Sequence, residues 1–197
     1  MTLANKFTLL RIILAPVFFI IYLLPVLFPK TEGIAPWTVP VFWLIIVFAE
    51  LTDMFDGMAA RKKSEISDFG KFFDPFADTL LQITCFFCFV IENIFPVYLF
   101  LVVLYREFGI LLIRNMMLKK GVTMGARKSG KIKTIAYISA GAVALVAGSI
   151  KRLGILDSFY NIFKNTALII FIISVIISIV SFLDYLIIFL KTEKKQG

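Results

Sequence analysis

The chain has 197 residues, 60% of them hydrophobic, and a mean hydropathy of +0.93, against roughly 45–50% apolar residues in ordinary soluble domains. Its formal charge is +8, from 21 Lys and Arg against 13 Asp and Glu, and it has no histidine. This composition excludes a water-soluble globule with a separate soluble catalytic domain, and it removes the commonest general base and transition-metal ligand.

A membrane span takes about 20 mostly apolar residues. Runs bounded by Pro, Gly or charge predict six transmembrane helices, near 9–28, 38–57, 71–91, 96–115, 134–150 and 165–190, in one all-α membrane domain covering 1–197. The first run follows Asn5, Lys6 and Thr8. Pro25 and Pro29 stand where small residues would mark signal cleavage, so this helix is expected to be retained. The third run contains Cys85 and Cys88 one turn apart; a thiol at lipid depth has little thiolate, which favours packing over redox chemistry. Arg106, Glu107 and Arg114 interrupt the fourth. The fifth carries Ala136, Ala140, Ala144 and Gly148 at intervals of four, a small-residue stripe for close helix packing. The sixth is apolar apart from Asp184, which is either a partner for a neighbouring helix's polar group or a residue near the polar end. The tail Lys191 to Lys195 reads as a solvated end facing anionic lipid.

Sorted by side, sixteen Lys and Arg fall with the two termini and the 2–3 and 4–5 connections, and four fall opposite: Lys30, Lys151, Arg152 and Lys164. Arg106 lies inside a span. The positive-inside rule then places both termini in the cytoplasm, which requires an even number of spans. The expectation is a multi-pass protein of the cell (inner) membrane with its polar site facing the cytoplasm.

Chemistry concentrates where the second run ends and the third begins. Asp53, Asp56, Gly57, Ala60 and Arg61 are followed after eight residues by Gly70, then by Asp74 and Asp78. On helices, Asp53, Asp56 or Gly57, and Ala60 share one stripe, and Gly70, Asp74 and Asp78 another. Two antiparallel helices joined by a short basic loop would face these stripes at each other, bringing four carboxylates together. Pairing with Arg61, Lys62, Lys63 and Lys71 is the alternative, although intramembrane acids are costly and usually functional. An all-oxygen donor set suits Mg²⁺ or Mn²⁺, and two such ions suit a phosphate-bearing substrate. Gly57, Ala60 and Gly70 leave the backbone bare for a bulky group to approach.

The pattern D-x-x-D-G-x-x-A-R-x₈-G-x₃-D-x₃-D, met at Asp53, Asp56, Gly57, Ala60, Arg61, Gly70, Asp74 and Asp78, resembles the signature of the CDP-alcohol phosphatidyltransferase family. The resemblance implies a six-helix membrane enzyme, usually a homodimer, that cleaves a CDP-linked substrate at its diphosphate and passes the phosphoalcohol to an acceptor hydroxyl, releasing CMP. It makes Asp53, Asp56, Asp74 and Asp78 metal ligands, Asp78 also the base, and assigns Asn5, Thr8, Asp53, Gly57, Ala60, Arg61, Ser67 and Gly70 to the nucleotide. The segment from Asn5 to Ile12 and the segments around Arg106, Arg114 and Ala126 to Thr134 resemble the branch whose donor is CDP-diacylglycerol and whose acceptor is glycerol 3-phosphate. Thr79 stands where that branch commonly has Lys, and Arg127 where it often has Ser, so cardiolipin, phosphatidylserine, inositol-phosphate and choline-type acceptors stay open.

A separate reading of the residues favours a phosphorylated acceptor. Arg106 and Arg114 lie eight apart on one helical face, and Lys128, Lys131 and Lys133 follow; such a cluster suits a phosphate, since Arg presents a fork of donors and Lys a point charge. The plainer account is that the loop cations, Lys133 among them, obey the positive-inside rule and that Arg106 pairs with Glu107. A divalent-cation transporter is the alternative from another class, but transporters usually hold their sites at the midplane with repeat symmetry. No nucleic-acid partner is expected.

Overall fold

In lipid every backbone polar group must be satisfied within the chain, so long apolar runs fold as helices. The computed structural model describes residues 3–31, 33–63, 68–122 and 128–196, with side chains over 6–31, 33–52, 73–122 and 130–192. It contains six helices: α1 (Leu3–Leu27), α2 (Ile34–Lys63), α3 (Asp68–Ile91), α4 (Val97–Lys119), α5 (Lys128–Leu153) and α6 (Asp157–Gln196). Five carry stretches long and apolar enough to cross a membrane, 6–27, 34–52, 73–91, 130–153 and 157–192. The exception is α4, whose apolar run is broken by Arg106, Glu107 and Arg114. The chain is a multi-pass membrane protein, all-helical over the described residues.

Helices outrun the apolar runs that predict them. Hydropathy marks where lipid begins and ends, whereas helical hydrogen bonding continues into polar flanks. So α2 goes on through the acidic motif to Lys63, and α6 reaches 40 residues. Stops are set by backbone chemistry. At the end of α4, Gly121 takes φ +72°, its N–H donates to the Leu118 carbonyl and that of Val122 to the Met117 carbonyl, both at 3.0 Å. This Schellman turn satisfies two orphan carbonyls and suits glycine, which lacks a Cβ. Asn93 closes α3 the same way at φ 58°, with Ile94 N–H donating to the Phe89 carbonyl at 2.9 Å.

The chain divides into two compact units. The first comprises Met1–Cys88 with Ser149–Leu156. Here α1 packs on α2 through the fully buried rings of Phe18, Tyr22 and Phe42; Tyr22 lies 5.4 Å from Phe18 and 5.3 Å from Phe42, centroid to centroid. The last turns of α5 are pinned to this core. Trp43 Nε1 donates to Ser149 Oγ at 3.0 Å. Arg152, also buried, donates to the Tyr22 carbonyl at 2.8 Å and to Thr38 Oγ1 at 3.1 Å, with its guanidinium 3.9 Å over the Tyr22 ring. Hydrogen bonds and a π face together make a buried guanidinium tolerable.

The second unit comprises Phe89–Gly148 with Asp157–Gly197. In it α4 packs on α6 so closely at Gly109 that a Cβ there would stand 2.9 Å from Phe182 Cε2. Phe95 stacks face to face on Phe171 at 3.9 Å. Ala140, Ala144 and Gly148 of the small-residue stripe are buried, as packing requires. In the first unit, Cys85 and Cys88 are buried thiols.

Candidate active site

The continuation of α2 to Lys63 and the start of α3 at Asp68 put the motif on two helices with a four-residue connection, as the spacing predicts. Asp53, Asp56, Gly57, Ala60 and Arg61 occupy the last turns of α2; Gly70, Asp74 and Asp78 occupy the first turns of α3. Ser67 lies outside the described residues. The side chains of Asn5, Asp53, Asp56, Ala60, Arg61 and Lys128 lie outside the described side chains, and Gly57 and Gly70 fall in the same stretch of 53–72.

Asp74 and Asp78 are met from α1. The Thr8 hydroxyl donates to Asp74 Oδ1, and Arg11 Nη1 forms an ion pair with Asp78 Oδ1. Thr8 and Arg11 are three residues apart, and the two aspartates four, so each pair lies on one face of its helix. Two turns further along, Phe19 of α1 stacks with Phe87 of α3 at 6.0 Å; the three contacts run in the same order on both helices, so α1 and α3 point the same way. Burial is uneven across these pairs. Thr8 is 0% exposed and Arg11 2%, whereas the Asp78 side chain is 53% exposed. The α1 groups face inward, and the carboxylate of Asp78 keeps an open side. Asp74 and Asp78, one turn apart and accessible, are suitable hard oxygen donors in a chain without histidine.

In the second unit, Arg106 is buried, with Nε donating to the Ser178 carbonyl at 3.0 Å and Nη1 to Glu107 Oε1 at 2.8 Å. The same carboxylate oxygen accepts from Lys133 Nζ at 3.0 Å, and Lys133 also sits 4.8 Å over the Tyr137 ring. Arg114 stands by Tyr185, with Nη2 3.5 Å from the hydroxyl and its guanidinium 5.6 Å from the ring centre. Arg106 and Arg114 therefore share the α4 face turned to α6, as their spacing predicts. Lys131 is exposed.

A family model described as CDP-alcohol phosphatidyltransferase matches residues 1–180. The chain belongs to that family. Among similar proteins, the CDP-diacylglycerol–glycerol-3-phosphate 3-phosphatidyltransferase of Treponema pallidum is 32% identical over 190 residues, covering 94% of this chain and 88% of the relative. The protein of the same name from Bacillus subtilis is 36% identical, covering 73% of this chain and 76% of its own length. A probable phosphatidylglycerophosphate synthase from Mycobacterium tuberculosis is 34% identical, covering 73% of this chain and 64% of its own. This phosphatidyltransferase is an enzyme, so the transporter reading falls. The family assignment also gives the paired helices of the acidic motif a chemical purpose.

Three residues take partners in the structure that their spacing does not give: Asp78 for Arg11, Lys133 for Glu107 and Glu107 for Lys133. Arg11 is an arginine inside an apolar run, a placement that by itself calls for a partner. Glu107 is the acid next to Arg106. Lys133, countable as a loop cation, is instead buried within the phosphatidyltransferase's α4–α5–α6 unit.

Proposed function

We propose that the protein transfers the phosphatidyl group of CDP-diacylglycerol to the hydroxyl of glycerol 3-phosphate, forming phosphatidylglycerophosphate and CMP. The observation that carries the reading is the acidic motif divided between the end of α2 and the start of α3, in a chain whose similar relatives bear the name of this reaction. The family match over 1–180 crosses both compact units, which supports treating the chain as one catalytic membrane domain; that it acts as a homodimer is the expectation carried by the family resemblance. Six spans with both termini at the cytoplasmic face of the cell (inner) membrane follow from the sixteen-to-four distribution of cations.

Phosphoryl transfer asks a protein mainly for positioning and charge stabilisation. Asp53, Asp56, Asp74 and Asp78 would hold Mg²⁺ or Mn²⁺, two ions in all; when bound, such ions neutralise charge on the diphosphate. Asn5, Gly57, Ala60, Arg61, Ser67 and Gly70 bind the cytidine diphosphate, the small residues by leaving backbone bare and Arg61 by its charge. Asp78 takes the proton of the acceptor hydroxyl, consistent with its half-exposed carboxylate. The acceptor's phosphate goes to the basic cluster of Arg106, Arg114, Lys128 and Lys131. Supporting that, the described network holds two cations, Arg106 and Lys133, against the one carboxylate of Glu107, and an incoming phosphate would balance the excess.

The test is CMP release by the purified chain from CDP-diacylglycerol with Mg²⁺ or Mn²⁺ and a panel of acceptors. Glycerol 3-phosphate is expected to support turnover. Activity with serine or inositol phosphate alone would sink the acceptor assignment, and no CMP with any acceptor would sink the reaction.

A further inference from the structure

We propose that Thr8 and Arg11 are positioning residues that hold the carboxylates of Asp74 and Asp78 in their working orientation, and that Thr8 serves its aspartate and not the nucleotide. The inference rests on the phosphatidyltransferase reading above. It starts from burial: the Thr8 side chain has no accessible surface, so it offers nothing for a diphosphate to touch. A hydroxyl carries one proton, and that proton goes to Asp74 Oδ1. Arg11, equally enclosed, pairs with Asp78.

The arrangement is a two-point attachment. One polar contact between helices fixes their separation but leaves α3 free to rotate or slide. Two contacts, at steps of three residues on α1 and four on α3, fix rotation and height together, and the Phe19–Phe87 stack extends the register along the same pair. Two carboxylates one turn apart repel each other, so each needs a partner to keep its rotamer. The neutral hydroxyl and the guanidinium supply those partners from the buried side and leave the outward side to ligands. Catalytic groups need holding to within about 0.5 Å by buried neighbours of this kind.

The test separates the two roles of Thr8 by kinetics and by metal binding, using the full-length chain. Thr8→Val keeps shape and removes the proton. It is expected to lower kcat about tenfold, the scale of one hydrogen bond to a charged acceptor, with the KM for CDP-diacylglycerol unchanged, and to weaken Mn²⁺ binding measured by electron paramagnetic resonance; Thr8→Ser restores both. Arg11→Met is expected to lower kcat by more than tenfold, with Arg11→Lys recovering part of it because charge is kept and the planar fork lost. A rise in the KM for CDP-diacylglycerol at unchanged kcat in Thr8→Val would make Thr8 a nucleotide contact and overturn the proposal. So would wild-type Mn²⁺ affinity and kcat in that variant, or an Arg11→Lys no better than Arg11→Met. A wild-type chain that binds Mn²⁺ but releases no CMP defeats the reaction assignment alone, and the Mn²⁺ affinity of Thr8→Val then decides the positioning role by itself.

Discussion

Glu107→Gln tests the buried ion network of the α4–α5–α6 unit. Glu107 is 4% exposed, and one of its carboxylate oxygens receives both Arg106 at 2.8 Å and Lys133 at 3.0 Å. Glutamine keeps the shape and one acceptor oxygen but deletes the only acid in the described network, leaving two buried cations to repel across the same space. Breaking a buried pair by removing one partner typically costs about 3–5 kcal/mol, and the steric match of glutamine leaves no cavity to add to it. Unfolding of the detergent-solubilised protein should register the loss as a midpoint lowered by roughly 6–20 °C, at about 2–4 °C per kcal/mol for a chain of this size. The double variant Glu107→Gln/Lys133→Met removes one of the stranded cations, and its loss should fall short of the summed single losses by roughly 1–3 kcal/mol. A Glu107→Gln midpoint within 2 °C of the wild type, or strict additivity in the double variant, would refute the idea that an ionised Glu107 holds this unit together.

Asp78→Asn should abolish CMP release while retaining part of the Mn²⁺ and nucleotide affinity, checked by single-turnover kinetics and Mn²⁺ titration; unchanged turnover would remove Asp78 as the base. Arg114→Ala should raise the KM for glycerol 3-phosphate with little change in that for CDP-diacylglycerol, and an unaltered acceptor KM would take Arg114 out of the acceptor site. Arg152→Ala loses two hydrogen bonds and a stacked ring, so thermal unfolding should show about 2–4 kcal/mol less stability; retained stability would mean that the end of α5 is not anchored there. Gly109→Ala must push Phe182 aside, at a cost of about 1–3 kcal/mol less the roughly 1 kcal/mol that alanine returns in helix propensity; a more stable variant would contradict the close crossing of α4 and α6.

The motif aspartates were legible because their chemistry fixes both residue type and spacing: a helical stripe ending α2 and another starting α3 is recoverable from numbers such as 53, 56, 74 and 78. Helix lengths were less so. The stretch from Asp157 to Asn165 is polar enough to end an apolar run, yet it folds as the first turns of α6. Partners across the fold were not legible at all. Arg11 and Asp78 are 67 positions apart, and periodicity carries information along a helix, not between helices. Lys133 illustrates a related blind spot, since counting cations by side records charge but not burial. Arg106 shows the reverse, because an arginine in an apolar run with glutamate beside it already predicts the ion pair that forms.

The apolar run of α6, 165–190, would rise about 39 Å if upright, at 1.5 Å per residue. A hydrocarbon core is about 30 Å thick, and fitting the whole run within it would take a tilt of about 40°, at the limit of the roughly 0–40° that transmembrane helices adopt. So α6 either tilts to that limit or overhangs the hydrocarbon at one end or both. An enzyme that supplies lipid to its own membrane changes the solvent it sits in. A helix with apolar length in reserve can slide or tilt as bilayer thickness drifts without drawing Lys164 or Lys191 into the hydrocarbon, so α6 itself can take up hydrophobic mismatch.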